Sequence, residues 1–201
     1  NTSKVIKTSS NTEVIYGDLD KKDTIVKALD GIDVIYYLAH AMADASSEFL
    51  SRESNQAQNL SELLQPKHRV IYLGGILPNE KLSKHLEARK KVGDILRNSA
   101  AETLEFRASI IIGDGSASFE IVRSIINKLP LIISAKWSKS KCQPIPLSSI
   151  IEFLVAGINS KFNCKDMSFD IGGSDVISYD ELLTQYARFK ELYRPNIYID
   201  K

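Results

Sequence analysis

Several features that mark other protein classes are scarce in this sequence. Its 201 residues include two cysteines, Cys142 and Cys164, which have neither metal-ligand spacing nor the number that a disulfide framework needs. No apolar stretch approaches the ~20 residues that span a bilayer, and the first ten residues do not resemble a signal peptide. The net charge of +1 gives no basic excess for nucleic acid. We expect a soluble, cytoplasmic protein with unpaired thiols, no metal site, and no nucleic-acid or membrane partner.

The residues that are present alternate between strand and helix patterns. Residues 34–38 are a continuous apolar run, typical of a strand buried on both faces of a parallel sheet. Further strands are predicted at 13–16, 70–73, 103–106 and 167–171, and helices at 21–29, 48–64, 83–97, 119–127, 148–159 and 178–192. This alternation predicts an α/β fold with a doubly wound, Rossmann-like parallel sheet. We place that domain at residues 1–130 and a small, interleaved substrate-side lobe at 131–201.

Three local signals refine this outline. Ser178 followed three residues later by Glu181 predicts a capping box at the start of the last helix. Ser116 is predicted to cap the helix that begins near Phe119. His68, between two basic residues, is predicted to lie in an exposed turn.

The most informative segment runs from residue 70 to residue 89. An apolar strand ends in Gly74 and Gly75, and the next helix carries His85 and Arg89 four residues apart, hence on one face. This arrangement resembles the short-chain dehydrogenase/reductase superfamily, in its atypical extended branch. There the strand ends in Ser or Thr, and the helix carries Tyr-x-x-x-Lys, with tyrosine as acid/base and lysine on the nicotinamide ribose. Gly74, His85 and Arg89 occupy those places here.

Other segments resemble landmarks of the same superfamily in the same order. They are Gly17-Asp18-Leu19, the strand end Leu38-Ala39-His40, the segment from Phe106 to Gly113, Cys142-Gln143-Pro144-Ile145 and Asp170-Ile171-Gly172-Gly173. The last two resemble segments of sugar-epimerase-like and NmrA-like bacterial members. The resemblance implies a bound NAD(P), with NADP the expected form, an unknown small-molecule substrate, and a possible homodimer through the helices at 48–64 and 83–97.

The resemblance also assigns residues to roles. His85 and Arg89 would be catalytic, and Arg107 and Gln143 would contact the substrate. The cofactor would be bound by Asp18, Leu19, Leu38, Ala39, His40, Gly74, Arg89, Ala108 and Ser109.

One departure from the superfamily concerns the pyrophosphate. A Rossmann fold binds it on a Gly-rich turn between the first strand and the first helix, and the sequence contains no such turn. In the strand order 3-2-1-4-5-6 the two strands before Asn1 would lie between residues 13–16 and 34–38, so their absence would expose apolar strand edges. We therefore expect an N-terminal segment that carries the phosphate loop and the residue that discriminates NAD from NADP.

Several residues have a second interpretation. His85 has an unperturbed pKa of about 6.5 that suits proton transfer, and Arg89 would lower it, but the pair also fits a surface histidine and a salt bridge to Glu87 or Asp94. Arg107 fits a substrate-anion clamp or a partner for a buried carboxylate. Tyr37 and Tyr72 fit core packing better than acid catalysis.

Two functions from different classes follow. The first is an NAD(P)-binding oxidoreductase or epimerase-like enzyme with His85 as proton donor and acceptor. The second is a catalytically silent, NmrA-like NAD(P)-binding redox sensor or scaffold. The fold supports both functions, so the chemistry of the site residues must distinguish between them.

Overall fold

The computed structural model describes residues 9–40, 47–78, 82–159 and 166–199. In chain order the elements are α1 (Lys22–Ala28), β1 (Val34–Tyr37), α2 (Ser47–Ser61), β2 (Arg69–Gly75), α3 (Lys84–Arg97), β3 (Glu102–Ala108), β4 (Ile111–Ile112), α4 (Ala117–Lys128), β5 (Ile132–Ser134), a 3-10 helix (Lys136–Lys139), β6 (Lys141–Cys142), β7 (Ile145–Pro146), α5 (Leu147–Ala156), β8 (Met167–Ile171), β9 (Ile177–Ser178), α6 (Tyr179–Phe189) and β10 (Asn196–Tyr198). All six predicted helices are confirmed. Cys164 falls outside the described residues.

The main sheet has four strands in the order β1-β2-β3-β8. β1 and β2 are parallel, with Val34 opposite Arg69 and Tyr37 opposite Tyr72. The fold is α/β with a four-stranded parallel sheet, as the sequence predicts. Among the described residues β1 forms one edge of this sheet.

The predicted strand at residues 13–16 is wrong. These residues are extended but belong to no sheet, and Ile15 and Tyr16 are 48% and 58% exposed. Their apolar and aromatic residues favour a strand, but a strand is held by cross-strand hydrogen bonds and side-chain pairs. In the part of the chain that the structure describes, no neighbouring strand supplies them.

The chain forms two compact units. The first is Asn1–Arg107 with Gly157–Phe169, and the second is Ala108–Ala156 with Asp170–Lys201. The division into domains at residue 130 stays a prediction. The core of the first unit consists of Ile25, Tyr37, Ala57, Leu60, Leu64, Val70, Tyr72, Val92, Leu96 and Ala101. The core of the second consists of Ile110, Val122, Ile126, Ile132, Cys142, Leu182, Leu183 and Ala187.

Side-chain caps fix the starts of three helices. Ser83 accepts a hydrogen bond from the backbone N–H of Leu86 at the start of α3. Ser116 caps α4 in the same way. Ser178 and Glu181 form the complete capping box of α6, so both predicted caps are confirmed.

The prediction that His68 lies in an exposed turn is wrong, because its side chain is only 3% exposed. Its Nδ1 accepts a hydrogen bond from the backbone of Gln65, at 3.0 Å, and its carbonyl accepts one from Glu102. The next residue, Arg69, begins β2 and pairs with Glu102 at 3.0 Å. Arg69 can thus be buried in the sheet because the neighbouring strand supplies a carboxylate.

Two kinds of feature are absent from the described ranges. There, no helix is both long and apolar enough to cross a membrane. The same ranges hold no cluster of three or more metal-ligating side chains.

Candidate functional site

The carboxyl ends of β1 and β2 meet at one edge of the sheet, because the two strands are parallel and in register. Beyond β1 the chain continues through Leu38 and Ala39, which are exposed, to His40, which is partly buried. Ligands of open α/β sheets bind outside the carboxyl ends of the strands. This edge, with the first turns of α3, is the candidate site.

Arg89 of α3 joins the two strand ends. Its Nη1 lies 3.1 Å from Nε2 of His40 and 3.5 Å from the carbonyl oxygen of Leu73. A guanidinium can only donate hydrogen bonds, so Nε2 of His40 accepts, and the proton of the neutral ring is on Nδ1. The Nε of Arg89 is buried and has no hydrogen-bond partner among the residues that the structure describes. The site therefore contains a buried donor that a ligand could satisfy.

His40 is held in its neutral form. Burial and the positive charge of Arg89 lower its pKa to about 4, against the opposing effect of a hydrogen bond to the backbone of Ala39. At pH 7 the ring is therefore an acceptor for Arg89 rather than a cation.

His85 lies on the same face of α3, one turn before Arg89. The residue is exposed, and partial desolvation of its ring lowers its pKa below the usual value of about 6.5. Arg89 lowers the pKa further, and Glu53 opposes the shift. The imidazole is thus neutral at pH 7 and able to accept a proton. The alternative salt bridge from Arg89 to Asp94 is not formed, because Asp94 pairs with Lys90 at 2.7 Å and with Arg97 at 2.5 Å.

Tyr37 and Tyr72 belong to the core of the first unit, and Tyr72 contacts Arg89. Their rings pack edge to face with centroids 5.8 Å apart, and the Tyr72 hydroxyl donates to the carbonyl of Arg89 at 3.2 Å. Burial, with Glu53, raises the pKa of Tyr37 to about 12, and burial raises the pKa of Tyr72 as well. Both hydroxyls keep their protons at neutral pH, and both rings belong to the core, as the sequence suggests.

Glu53 of α2 is a site residue that the sequence analysis missed. Its side chain is 4% exposed, and its charge affects the pKa values of Tyr37, Tyr72 and His85. The signal that could have found it is helical periodicity. Glu53, Ala57 and Leu60 are spaced i, i+4, i+7, so a carboxylate occupies a position of the core-facing stripe.

At Gly74 the structure shows why a hydroxyl residue is missing. A Cβ at this position would lie 2.7 Å from Oε1 of Glu105, 3.3 Å from Tyr72 and 3.5 Å from Arg107. Glu105 is itself buried and pairs with Arg97. The carboxylate of Glu105 thus fills the space that a side chain at residue 74 would need.

Asp18 and Leu19 lie in the turn that begins α1. The backbone N–H of Asp18 donates to Oγ1 of Thr24 at 2.9 Å, and its carbonyl accepts from the same hydroxyl at 3.1 Å. Leu19 packs against the first core, and its carbonyl accepts from Asn59 of α2 at 2.8 Å. The turn is therefore fixed to α2, and its role at a cofactor stays a prediction.

The remaining predicted residues divide between the two units. Arg107 belongs to the first unit, near Gly74. Ala108, Ser109 and Gln143 belong to the second, where the Ser109 hydroxyl accepts from the Gln143 backbone at 3.3 Å. The Gln143 side-chain amide donates to the carbonyl of Gly173 at 2.6 Å. This amide therefore has a structural partner, and the substrate role of Gln143 stays a prediction.

The described part of the chain has a Rossmann-like α/β fold. Solved structures with this fold match nearly the whole chain. No protein-family model matches the sequence, and no curated protein does either.

Three of the matching structures illustrate the similarity. WbmG of Bordetella bronchiseptica, in complex with NAD and UDP, has a TM-score of 0.78 at 10% identity over 96% of this chain and 69% of its own. The epimerase Mth375 of Methanothermobacter thermautotrophicus has a TM-score of 0.76 at 14% identity, over 98% and 68%. The dTDP-4-dehydrorhamnose reductase of Bacillus anthracis, in complex with NADP, has a TM-score of 0.74 at 9% identity, over 92% and 73%.

These figures limit what the similarity carries. At sequence identities this low, structural similarity shows a shared fold alone. The chain spans as little as 60% of the length of the structures that it matches. Activity, substrate and partners are therefore proposals.

Proposed function

We propose that this chain is the core of an NAD(P)-binding protein of the oxidoreductase or epimerase-like type, with His85 as its proton donor and acceptor. One observation carries the proposal. Arg89, His40 and His85 converge at the carboxyl ends of two parallel strands, and Arg89 presents there a buried Nε–H without a partner among the described residues. That is the place where the fold binds ligands, and a guanidinium is the donor that suits ribose or phosphate oxygens.

The residues fit one part of a dinucleotide. Arg89 would donate to its ribose or phosphate oxygens, and the exposed strand end at Leu38 and Ala39 would lie along it. The diphosphate would need a Gly-rich turn, which the sequence lacks. A bound nicotinamide supplies hydride transfer, and the side chains supply the proton.

The protonation state of His85 determines whether the residue is better suited to take a proton from the substrate or to donate one. Because its pKa is lowered, the neutral ring at pH 7 is suited to take a proton from a hydroxyl or from an acidic C–H group. Reduction of a carbonyl needs the imidazolium, which the lowered pKa makes a minor species at pH 7. The site therefore supports proton abstraction at neutral pH better than reduction.

One observation favours the alternative, a catalytically silent protein. Glu105 fills the space beside Gly74, so the site lacks the hydroxyl that would orient a carbonyl. Conversion of His85 to Asn separates the two functions once a substrate is found. An enzyme would lose about 10²- to 10⁴-fold in turnover while dinucleotide binding survives. A sensor or scaffold would bind the dinucleotide and show no turnover to lose.

Dinucleotide binding is the direct test. NADPH and NADH are titrated by fluorescence into the wild type, Arg89→Ala and Arg52→Ala. Loss of the Arg89 donor should weaken binding by about 10- to 100-fold. Arg52 is the control, because it is exposed on α2, carries the same charge and pairs with Asp20 at 2.8 Å. Equal affinities of wild type and Arg89→Ala, or no binding by the wild type, would contradict the proposal.

The two titrations also decide which form of the cofactor is preferred. Tighter binding of NADPH than of NADH is the predicted order.

Cys142 is a free, buried thiol, which supports a reducing compartment such as the cytoplasm.

A further inference from the structure

His40 follows the end of β1 and contacts Arg89 of α3. Nε2 of its imidazole lies 3.1 Å from Nη1 of Arg89, so a side chain that can carry a positive charge touches a guanidinium. This contact is attractive only when the ring is neutral and Nε2 carries no proton, because every N–H of a guanidinium donates. The contact therefore requires one protonation state and one tautomer of His40.

The surroundings of His40 maintain this state at neutral pH. Burial lowers its pKa to about 4, and the charges of Arg89 and of a protonated His85, both on α3, add to the effect. These two are the charged or titratable side chains that act on His40 in the described part of the chain. Because Arg89 uses the Nε2 lone pair, this lone pair is not available to a bound cofactor.

The position of Arg89 is restrained at both of its ends. The Tyr72 hydroxyl donates to its backbone carbonyl at 3.2 Å, and Nη1 lies between His40 and the carbonyl oxygen of Leu73, which is 3.5 Å away. A guanidinium is planar, so a held Nη1 limits the directions in which its other N–H groups point. A side chain that is ordered before a ligand arrives loses less entropy when the ligand binds.

We infer that His40 is a positioning residue for Arg89, whose Nη1 donates to Nε2 of His40 and is thereby held at the ends of β1 and β2. The Nε–H of Arg89, which is buried and without a partner among the described residues, is then oriented in advance for ribose or phosphate oxygens. His40 thus acts on the dinucleotide through Arg89 rather than by contact. The effect on binding rests on the proposed function, whereas the hold on Arg89 does not.

NMR of the free wild-type protein tests the hold on Arg89. The ring ¹⁵N shifts of His40 at pH 7 should show a neutral imidazole with its proton on Nδ1. The two Nη signals of Arg89 should be resolved, because the hydrogen bond slows rotation of the guanidinium, and they should merge in His40→Ala. Arg52 is the internal control, since it is exposed, pairs with Asp20 at 2.8 Å, and should give the same Nη signals in both proteins.

Three results of this experiment would overturn the inference. They are a proton on Nε2 of His40, an imidazolium at pH 7, and Arg89 signals that stay resolved in His40→Ala. The first two are read from the wild type, so the inference can fail even if His40→Ala does not fold.

NADPH titrations separate positioning from direct contact. His40→Ala should weaken binding by about 10-fold, and His40→Gln, whose amide oxygen can accept in place of Nε2, should restore most of the affinity. In the Arg89→Ala background the change of His40 to Ala should have almost no further effect. In the Arg52→Ala background, the matched control, it should have its full effect.

The outcomes of the titrations are distinct. Equal losses from His40→Ala in the Arg89→Ala and Arg52→Ala backgrounds would show that His40 contacts the dinucleotide itself, which would overturn the inference. A wild type that binds no dinucleotide, but has the Nδ1–H tautomer of His40 and Arg89 signals that merge in His40→Ala, would reject the proposed function. It would still support the positioning of Arg89 by His40.

Discussion

At the scale of single residues, the site is built from polar groups that hold one another in defined protonation states. Arg89 has a neutral acceptor because the pKa of His40 is lowered to about 4. Partial desolvation and the same guanidinium lower the pKa of His85 as well. Glu53 and Glu105 are both buried, and Glu105 lies beside Gly74 at the end of β2. Each of these arrangements makes a measurable prediction.

His40 should make the fold sensitive to acid. Its pKa is about 4 in the folded chain and about 6.5 when unfolded, so between these values the unfolded state binds more protons. Stability from this group is complete above about pH 6.5 and is lost as the pH falls through 4. After allowance for solvent screening we expect ~1–2 kcal/mol.

Urea unfolding at pH 7 and pH 4.5 measures this contribution. His40→Gln keeps an acceptor for Arg89 and removes the titration. The wild type should lose more stability than this variant between the two pH values. Parallel losses would show that His40 does not contribute.

Gly74 should not tolerate a side chain. In Gly74→Ala the new Cβ would meet Oε1 of Glu105 at 2.7 Å, and Glu105 is buried and paired with Arg97. Overpacking of this kind costs about 1–3 kcal/mol. Gly17→Ala is the control, because a Cβ at residue 17 would meet nothing within 4 Å. Thermal unfolding of the two variants should differ accordingly, and equal stabilities would mean that Glu105 moves aside freely.

At the scale of elements, one buried carboxylate joins two elements of the second unit. Asp180, in the first turn of α6, accepts a hydrogen bond from the Ser134 hydroxyl of β5. Burial alone would raise the pKa of Asp180, but Ser134 and the polar side chains of Ser138, Tyr198 and Asn196 outweigh burial and keep the pKa below its usual value. The carboxylate therefore stays ionised and bonds β5 to α6.

Asp180→Ala should destabilise the second unit strongly. It leaves the buried Ser134 hydroxyl without its acceptor, and the expected cost is ~1–3 kcal/mol. Asp175→Ala, at an exposed position of the same unit, should change stability by no more than about 0.5 kcal/mol. Denaturant unfolding compares the two, and equal effects would show that the hydrogen bond to Asp180 adds nothing.

Local sequence signals predicted the elements well, because caps and periodicity are properties of neighbouring residues. Ser116 and Ser178 cap the helices that their surroundings predict. The failures depend on residues far away in the sequence. Among the described residues no strand lies beside residues 13–16, although they have strand propensity. His68 is buried at the point where its carbonyl accepts a hydrogen bond from the backbone of Glu102 in β3. Glu53 was missed because a charged residue on a helix is usually exposed, and only the packing of α2 against α3 shows otherwise.

At the scale of the whole molecule, the sequence resemblance and the structure agree on the fold. Solved NAD(P)-binding epimerases and reductases match the chain closely in structure and at 16% identity or less. This similarity shows the fold alone, and the roles of His85 and Arg89 stay predictions. The proposed function therefore depends on the chemistry of the residues at the carboxyl ends of β1 and β2.

The most direct measurement is a histidine footprint of dinucleotide binding. The chain has three histidines, of which His40 and His85 lie at the carboxyl ends of β1 and β2, and His68 lies at the opposite end of β2. Imidazole ¹H and ¹⁵N shifts are recorded while NADPH is added to saturation. We predict that the signals of His40 and His85 move with one binding isotherm and that those of His68 do not. Shifts confined to His68, or no shifts at any histidine, would contradict the assignment of this edge as a dinucleotide site.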